Sequence, residues 1–314
     1  MDQMQRPVRR TGLAIRNPLA WHEMVLSAEL AERTGYEILL VPEIMGREAF
    51  STLAGLARAT YKIGLGTGVL PMTSRRPDVM AMGAATVSEL SYGRMTLGIG
   101  AGRPAPGTLA RIRRAIEFLR KALAGEAVNI GEAGTFELAL PPQKVPIWLA
   151  ALGPKMARLA GELADGVLLN WCTPERVRQA HAWVEEGAQA AERDPSEVTV
   201  AVYVRACVGQ ELDHAIPALK EAAAQYVAIP FYRRQFEEMG FRSEVAAAAE
   251  GRVPDELIRA VCLVGDAAEA QVRLERYRDA GADLPVIYPV PCLEPISSID
   301  GTILGLAPSP AVER

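Results

Sequence analysis

Residues 63–102 read IGLGTGVLPMTSRRPDVMAMGAATVSELSYGRMTLGIGAG, and this stretch decides the fold. Its two ends, 63–69 (IGLGTGV) and 95–100 (MTLGIG), are short, apolar on both faces and interrupted by glycines, as strands inside a covered parallel sheet must be. A longer Ala-rich segment separates them, which is the crossover that parallel pairing requires.

The same alternation runs outward in both directions. Compact apolar runs occur at 10–16, 36–41, 146–151, 166–170, 198–207 and 284–290 as well, which brings the strand candidates to eight. The helical stretches between them carry their own end signals. Segment 20–34 is followed by Gly35, Thr173-Pro174-Glu175 opens 173–192, and 266–280 runs into Gly281. Eight βα units imply an α/β fold, a TIM (β/α)8 barrel with insertions. The excess over a minimal barrel falls in a turn-rich connection at 125–145 and in a helical insertion at 210–253, where Tyr226, Phe231 and Tyr232 are candidate pocket formers. No low-complexity linker divides the chain, so residues 1–314 read as one barrel domain.

Composition narrows the function classes. The chain is 49% hydrophobic and 23% charged, enough to bury a core. With 6% aromatics and a net charge of -4, binding to duplex or single-stranded nucleic acid is not expected. Cys172, Cys207, Cys262 and Cys292 form no CxxC pair, His22, His181 and His214 are scattered, and no metal site is expected. The start, MDQMQRPVRRTGLAIRN, lacks the apolar stretch of a signal peptide, and no run of 18 apolar residues occurs, so a cytoplasmic protein with no membrane contact is expected. Charge is uneven: 17 basic against 10 acidic residues up to position 125, and 17 against 28 beyond it. A basic front half suits an anionic ligand or is a solvated helix surface, at Arg111, Arg113, Arg114, Arg120 and Lys121.

The chemistry-bearing positions sit where strands end. Gly64-Leu65-Gly66-Thr67-Gly68 and Gly98-Ile99-Gly100-Ala101-Gly102 do not complete a dinucleotide fingerprint, since Val69 and Arg103 stand where its last glycine belongs. Their glycines allow close backbone approach at the barrel face where active sites form, so that a flat ring can lie against them. In Ala151-Leu152-Gly153-Pro154-Lys155-Met156, glycine takes the N-cap, proline N1 and lysine N2 of a helix. This is either an anion site built from helix N–H groups and one ammonium, or an ordinary capped helix. Glu43, just after a strand, is either a proton donor, base or ligand-binding group at the barrel mouth, or a helix cap or partner of Arg16, Arg47 or Arg75. The histidines, none at a strand end, are poor catalytic candidates.

The run 63–102, together with IWLAALGPKMARLAGELADGVLLN (147–170) and GYEILLVPE with GREAF (35–50), resembles the luciferase-like monooxygenase superfamily over residues 10–290. The pattern around Glu43, Gly46-Arg47, Ala49-Phe50 and Arg75-x-Pro77 is similar to its coenzyme F420-dependent oxidoreductase subgroup. The resemblance implies a barrel, often a homodimer, that holds a deazaflavin at the C-terminal ends of its strands and moves a hydride to or from the ring's C5 and a small-molecule substrate. Residue by residue, it places a non-prolyl cis peptide at Gly68-Val69 behind the ring, beside Thr67. It places Gly100, Ala101 and Gly102 in the next loop, and the phosphate turn at Gly153, Pro154, Lys155 and Met156 after Ala151. Glu43 is the nearby ionisable group and Arg103 the seat of an anionic tail. The alternatives are an FMN-dependent two-component monooxygenase and a barrel that binds flavin without turnover. The chain departs from the pattern at Ile44, where related enzymes carry a histidine, so their histidine-based proton chemistry does not carry over. It also has a short segment after GIGAG, and its SPAVER ending leaves no helix expected after the eighth strand.

Overall fold

The computed structural model describes residues 9–16, 19–103, 105–131 and 134–308. The positions behind the targeting and chain-end expectations, 1–8, 17 and 309–314, lie outside this set.

Eight parallel strands close into a barrel: β1 (Gly12–Ala14), β2 (Ile38–Val41), β3 (Gly64–Thr67), β5 (Met95–Gly100), β8 (Ile147–Ala150), β9 (Gly166–Asn170), β10 (Thr199–Val208) and β12 (Leu284–Pro289). They pair in that order, and β12 closes the ring onto β1. These are the eight expected strands. Between β3 and β5 the chain makes the short β4 (Leu70–Pro71), which pairs with the upper end of β5. Each barrel strand is followed by a helix on the outside: α1 (Trp21–Arg33), α2 (Ala49–Ala59), α3 (Pro77–Leu90), α4 (Thr108–Leu123), α5 (Pro154–Leu163), α6 (Pro174–Ala190), α11 (Ala267–Asp279) and α12 (Pro295–Gly305).

Three elements differ from expectation. The connection 125–145 contains a small antiparallel hairpin, β6 (Val128–Asn129) with β7 (Thr135–Phe136). A ninth parallel strand, β11 (Cys262–Gly265), joins the end of β10 beyond the reach of β9. The helix expected to be missing after the eighth strand is present as α12: Pro295 occupies its first turn, and Ile299 and Ile303 are buried against the barrel. Its sequence, PISSIDGTILG, is rich in Ser, Thr and Gly, so local propensity masks a helix that packing stabilises. Between β10 and β11 stand α7 (Leu212–Val227), α8 (Pro230–Glu238), α9 (Arg242–Ala249) and α10 (Asp255–Val261). They share a separate apolar cluster that includes Trp171, Leu219 and Phe236.

The barrel interior is filled asymmetrically. Leu40, Trp148, Leu168, Tyr203, Val286 and Tyr288 pack in its centre; glycines of β1 and β3 make room for Val286 and Leu40, and Gly98 and Gly100 of β5 make room for Thr67 and Val69. A Cβ on Gly66 would stand 2.8 Å from Leu40 Cδ2, and one on Gly68 would collide with the Tyr203 hydroxyl, which donates to the Gly68 carbonyl at 2.6 Å. Interior packing to crystal-like density leaves no slack for either.

Two polar clasps fix the strands that carry the glycines. Glu32 accepts from the backbone N–H groups of Tyr61, Lys62 and Ile63 at 2.8, 2.6 and 2.9 Å, at the entry to β3. Arg94 donates to the carbonyls of Ala57, Thr60, Ile63 and Ser91, joining the end of α2 to the start of β5. On the outside, α5 and α6 meet backbone to backbone: Gly161 faces the Val184 carbonyl and Gly187 the Arg158 carbonyl, with no room for a Cβ at either.

The helix contact predicts that Gly161→Ala separates α5 from α6. Overpacking of this kind costs about 1–3 kcal/mol, so calorimetry should show a Tm lower by roughly 3–10 °C. Burial alone opposes charge on Glu32, but its three N–H donors and nearby Arg94 outweigh that and hold the carboxyl below its usual range. A depressed folded-state pKa stabilises above the unfolded value, near 4.3, and the contribution is lost as pH falls through the folded value. Acid unfolding curves of Glu32→Gln should therefore fall less steeply below about pH 4.5 than those of the wild type.

Candidate active site

The C-terminal ends of the strands surround a cavity of about 660 Å³. Its two walls are chemically different. On one side β3, β5, β8 and their loops present Gly68, Val69, Gly100, Ala101, Gly102, Ala150 and Gly153, with Met156 beyond them. On the other, β9, β10, β12 and the insertion present Asn170, Tyr203, Arg205, Tyr226, Tyr232 and Tyr288, with Phe231 at the edge. Pro42, Glu43, Ile44 and Met45 form the remaining lip.

The first wall is made of glycines and small apolar residues. The Gly68–Val69 peptide bond is cis, at the position the family resemblance gave for it. A Cβ on Gly100 would approach Val69 Cγ2 to 2.8 Å, while the Cβ position of Gly153 is open. Gly153 is the extended N-cap of α5, with Pro154 in its first turn, so the helix begins facing this region.

Five expected site residues do not line the cavity. Thr67 is fully buried, its hydroxyl donating to the Gly98 carbonyl at 2.7 Å and accepting from the Gly98 N–H at 2.8 Å. It ties β3 to β5 because its side chain leaves the strand on the face opposite Gly66 and Gly68. Ala151 is buried in the helix-facing core. Pro154 begins α5, and Lys155 on its first turn is exposed to solvent. Arg103 is exposed as well.

Glu43 lines the lip, yet its carboxylate is already engaged. It accepts from Arg75 at 3.1 and 2.7 Å and from the Ala49 N–H at 2.9 Å, while Arg75 also bonds Glu48, the N-cap of α2. Of the two sequence readings for Glu43, helix capping and the Arg75 pair are what the fold adopts. Both carboxylate oxygens are occupied by these partners rather than turned to the cavity. Among the basic residues of α4, Arg113 pairs with Glu162 and Arg120 with Asp165, so this helix spends charge on fixing its neighbour.

The second wall was largely invisible in the sequence, apart from Tyr226, Phe231 and Tyr232. Arg205 is 3% exposed and lies over the rings of Tyr288, Trp171, Tyr226 and Tyr203, at 4.3 to 5.5 Å from their centroids. It donates to the Asn170 side-chain oxygen and, at 3.2 Å, to the Tyr226 hydroxyl. The Asn170 amide donates to Tyr232 at 2.6 Å, and Gln235 reaches the carbonyls of Asn170 and Trp171 at 2.8 Å each. These bonds seat α7 and α8 over the barrel mouth. The available signal was a lone arginine two residues after a tyrosine in the apolar run VTVAVYVRAC, where period two puts both side chains on one face.

Among the described residues no group of His, Cys, Asp or Glu is arranged to hold a metal ion, and no helix is long and apolar enough to cross a membrane. The four cysteines are free and buried.

Residues 6–284 match the family model for luciferase-like monooxygenases. The chain is 30% identical over 286 residues to the 5,10-methylenetetrahydromethanopterin reductase of Methanolobus tindarius, covering 81% of this chain and 86% of that protein. It is 26% identical over 304 residues to a putative coenzyme F420-dependent oxidoreductase of Mycobacterium tuberculosis, covering 82% and 88%. Among solved structures, the coenzyme F420-dependent tetrahydromethanopterin reductase from Methanopyrus kandleri superimposes with a TM-score of 0.78 at 24% identity, covering 95% of this chain and 97% of that one. A parallel barrel with a glycine-built wall at its mouth, matched by that family over most of its length, places this chain in the luciferase-like monooxygenase family.

Proposed function

We propose that this protein is a coenzyme F420-dependent oxidoreductase that moves a hydride between the deazaflavin and an organic substrate. The observation that carries this reading is the wall of small residues: Gly68, Gly100, Ala101, Gly102 and Gly153, with Val69 among them, form a low apolar face on which a planar tricycle can rest. A cavity of about 660 Å³ has room for such a ring and a small substrate together. The coenzyme named for the Mycobacterium relative and for the Methanopyrus structure supports the choice of deazaflavin.

When bound, F420 supplies a hydride donor or acceptor at its C5 carbon. The chain's residues bind, orient and exclude water. Gly68 and Val69 back the ring, and the Tyr203 hydroxyl holds the Gly68 carbonyl from behind. The N-terminus of α5 offers free backbone N–H groups, the positive end of the helix dipole and the mobile Lys155 ammonium to the cofactor's phosphate. Ala151 and Pro154 shape that turn, and Thr67 acts through the strand pairing it locks. Glu43, held by Arg75, fixes the Pro42–Met45 lip. Apolar Ile44, Met45 and Phe231 flank the opening. The same proposal has the protein working as a cytoplasmic homodimer on a small molecule.

Fluorescence titration of the purified protein with F420 and with FMN tests the cofactor, followed by exposure of each reduced form to oxygen. F420 should bind, with little oxygen consumed. FMN binding with rapid oxygen uptake and no F420 binding would replace this reading with that of a flavin monooxygenase. Lys155→Ala should weaken F420 binding by about tenfold, the equivalent of about 1.4 kcal/mol. Unchanged affinity would remove Lys155 from the phosphate site.

A further inference from the structure

Arg205 is a buried cation whose charge no carboxylate answers. No acidic side chain forms an ion pair with it among the described residues, although a charge withdrawn from water ordinarily requires one. Four aromatic rings supply part of the compensation through their faces. Of the five N–H donors on its guanidinium, the Asn170 and Tyr226 side chains take two, so the planar fork is oriented but not filled.

A second, independent observation lies beside it. Tyr288, also on the cavity wall, is 7% exposed, and its hydroxyl donates to no acceptor among the described residues. Arg16, which lines the same cavity, acts on that hydroxyl oxygen as a donor, so it is the phenolic proton that no acceptor takes. Burial pushes the Tyr288 hydroxyl up to about 12, with Arg205 opposing, so at neutral pH it keeps its proton and is a donor. The one acid on the main cavity wall, Glu43, is committed to Arg75. In the adjoining recess of about 370 Å³, Glu221 stands on the wall but pairs with neither Arg16 nor Arg205. Two cations and a phenol donor thus converge on one end of a cavity whose other wall is small and apolar.

We infer that Arg205 and Tyr288, with Arg16 at the rim, form a subsite for the oxyanion of the substrate, a carboxylate or a phosphate. The inference rests on the proposed oxidoreductase reading only in calling that ligand the substrate. A guanidinium fork matches a planar carboxylate through two parallel bonds and also accepts phosphate oxygens. The tyrosine donor adds a third contact, and the enclosing aromatic rings leave a slot suited to an unsaturated or aromatic acid.

The test is isothermal titration with cinnamate, its neutral counterpart cinnamamide, and inorganic phosphate, each with and without saturating F420. The wild type should bind cinnamate at least about tenfold more tightly than cinnamamide, or bind inorganic phosphate measurably. Arg205→Met should abolish that anion binding while F420 affinity stays within about twofold. Tyr288→Phe should weaken it several-fold, and Arg205→Lys, which keeps charge but loses the fork, should fall between. These two milder variants carry the test if Arg205→Met does not fold. The inference is overturned if the wild type shows no preference for either anion, if the preference survives Arg205→Met, or if it is unchanged in both Tyr288→Phe and Arg205→Lys. Anion binding without any F420 binding would sink the cofactor reading and leave the subsite standing.

Discussion

The hydrogen bond from the Tyr203 hydroxyl to the Gly68 carbonyl spans the barrel interior and sets the terms for everything above it. A tyrosine on β10 reaches across to β3, and the space it occupies is the space a side chain at position 68 would need. The glycine at position 68 and the tyrosine that fills its place are therefore a single packing solution. The wall at the mouth inherits that solution: where the interior of β3 and β5 is glycine, the cavity face above carries only glycines and small apolar residues. Thr67, pointing the other way, locks those two strands together through the Gly98 peptide.

The insertion completes what the barrel leaves open. Helices α7 and α8 are joined to the strand ends by short polar contacts, through Asn170, Tyr232, Gln235 and Arg205, and by the apolar cluster around Trp171 and Phe236. Long-range electrostatics play a smaller part. The basic excess in the first part of the chain is partly consumed by acids of the second, as in Arg113 with Glu162 and Arg120 with Asp165. The asymmetry along the sequence is thus partly erased in space.

The eight strands were legible because a doubly covered strand must be apolar throughout, and because capped helices separate each from the next. The glycine clusters were legible as a place of close approach. Other features depended on tertiary context. The helix α12 has weak local propensity and forms because Ile299 and Ile303 find a groove. Glu43 looked available as an isolated residue after a strand, and only the arrival of Arg75 from 32 positions away shows that it is taken. Thr67 sits inside a motif whose neighbours line the cavity, but strand alternation turns it outward. Arg205 was hidden for the opposite reason: an arginine in an apolar run looks anomalous until its aromatic partners, drawn from three separate segments, are assembled.

The two walls of the cavity also differ in how they can diverge between descendants of this fold. A surface built from closely packed glycines offers few substitutions that alter its chemistry without a clash. A surface built from exchangeable side chains, several of them on helices outside the barrel, can be rewritten one residue at a time without disturbing strand pairing. New specificities should therefore arise on the Asn170–Tyr288 side, while the glycine side keeps its ancestral shape.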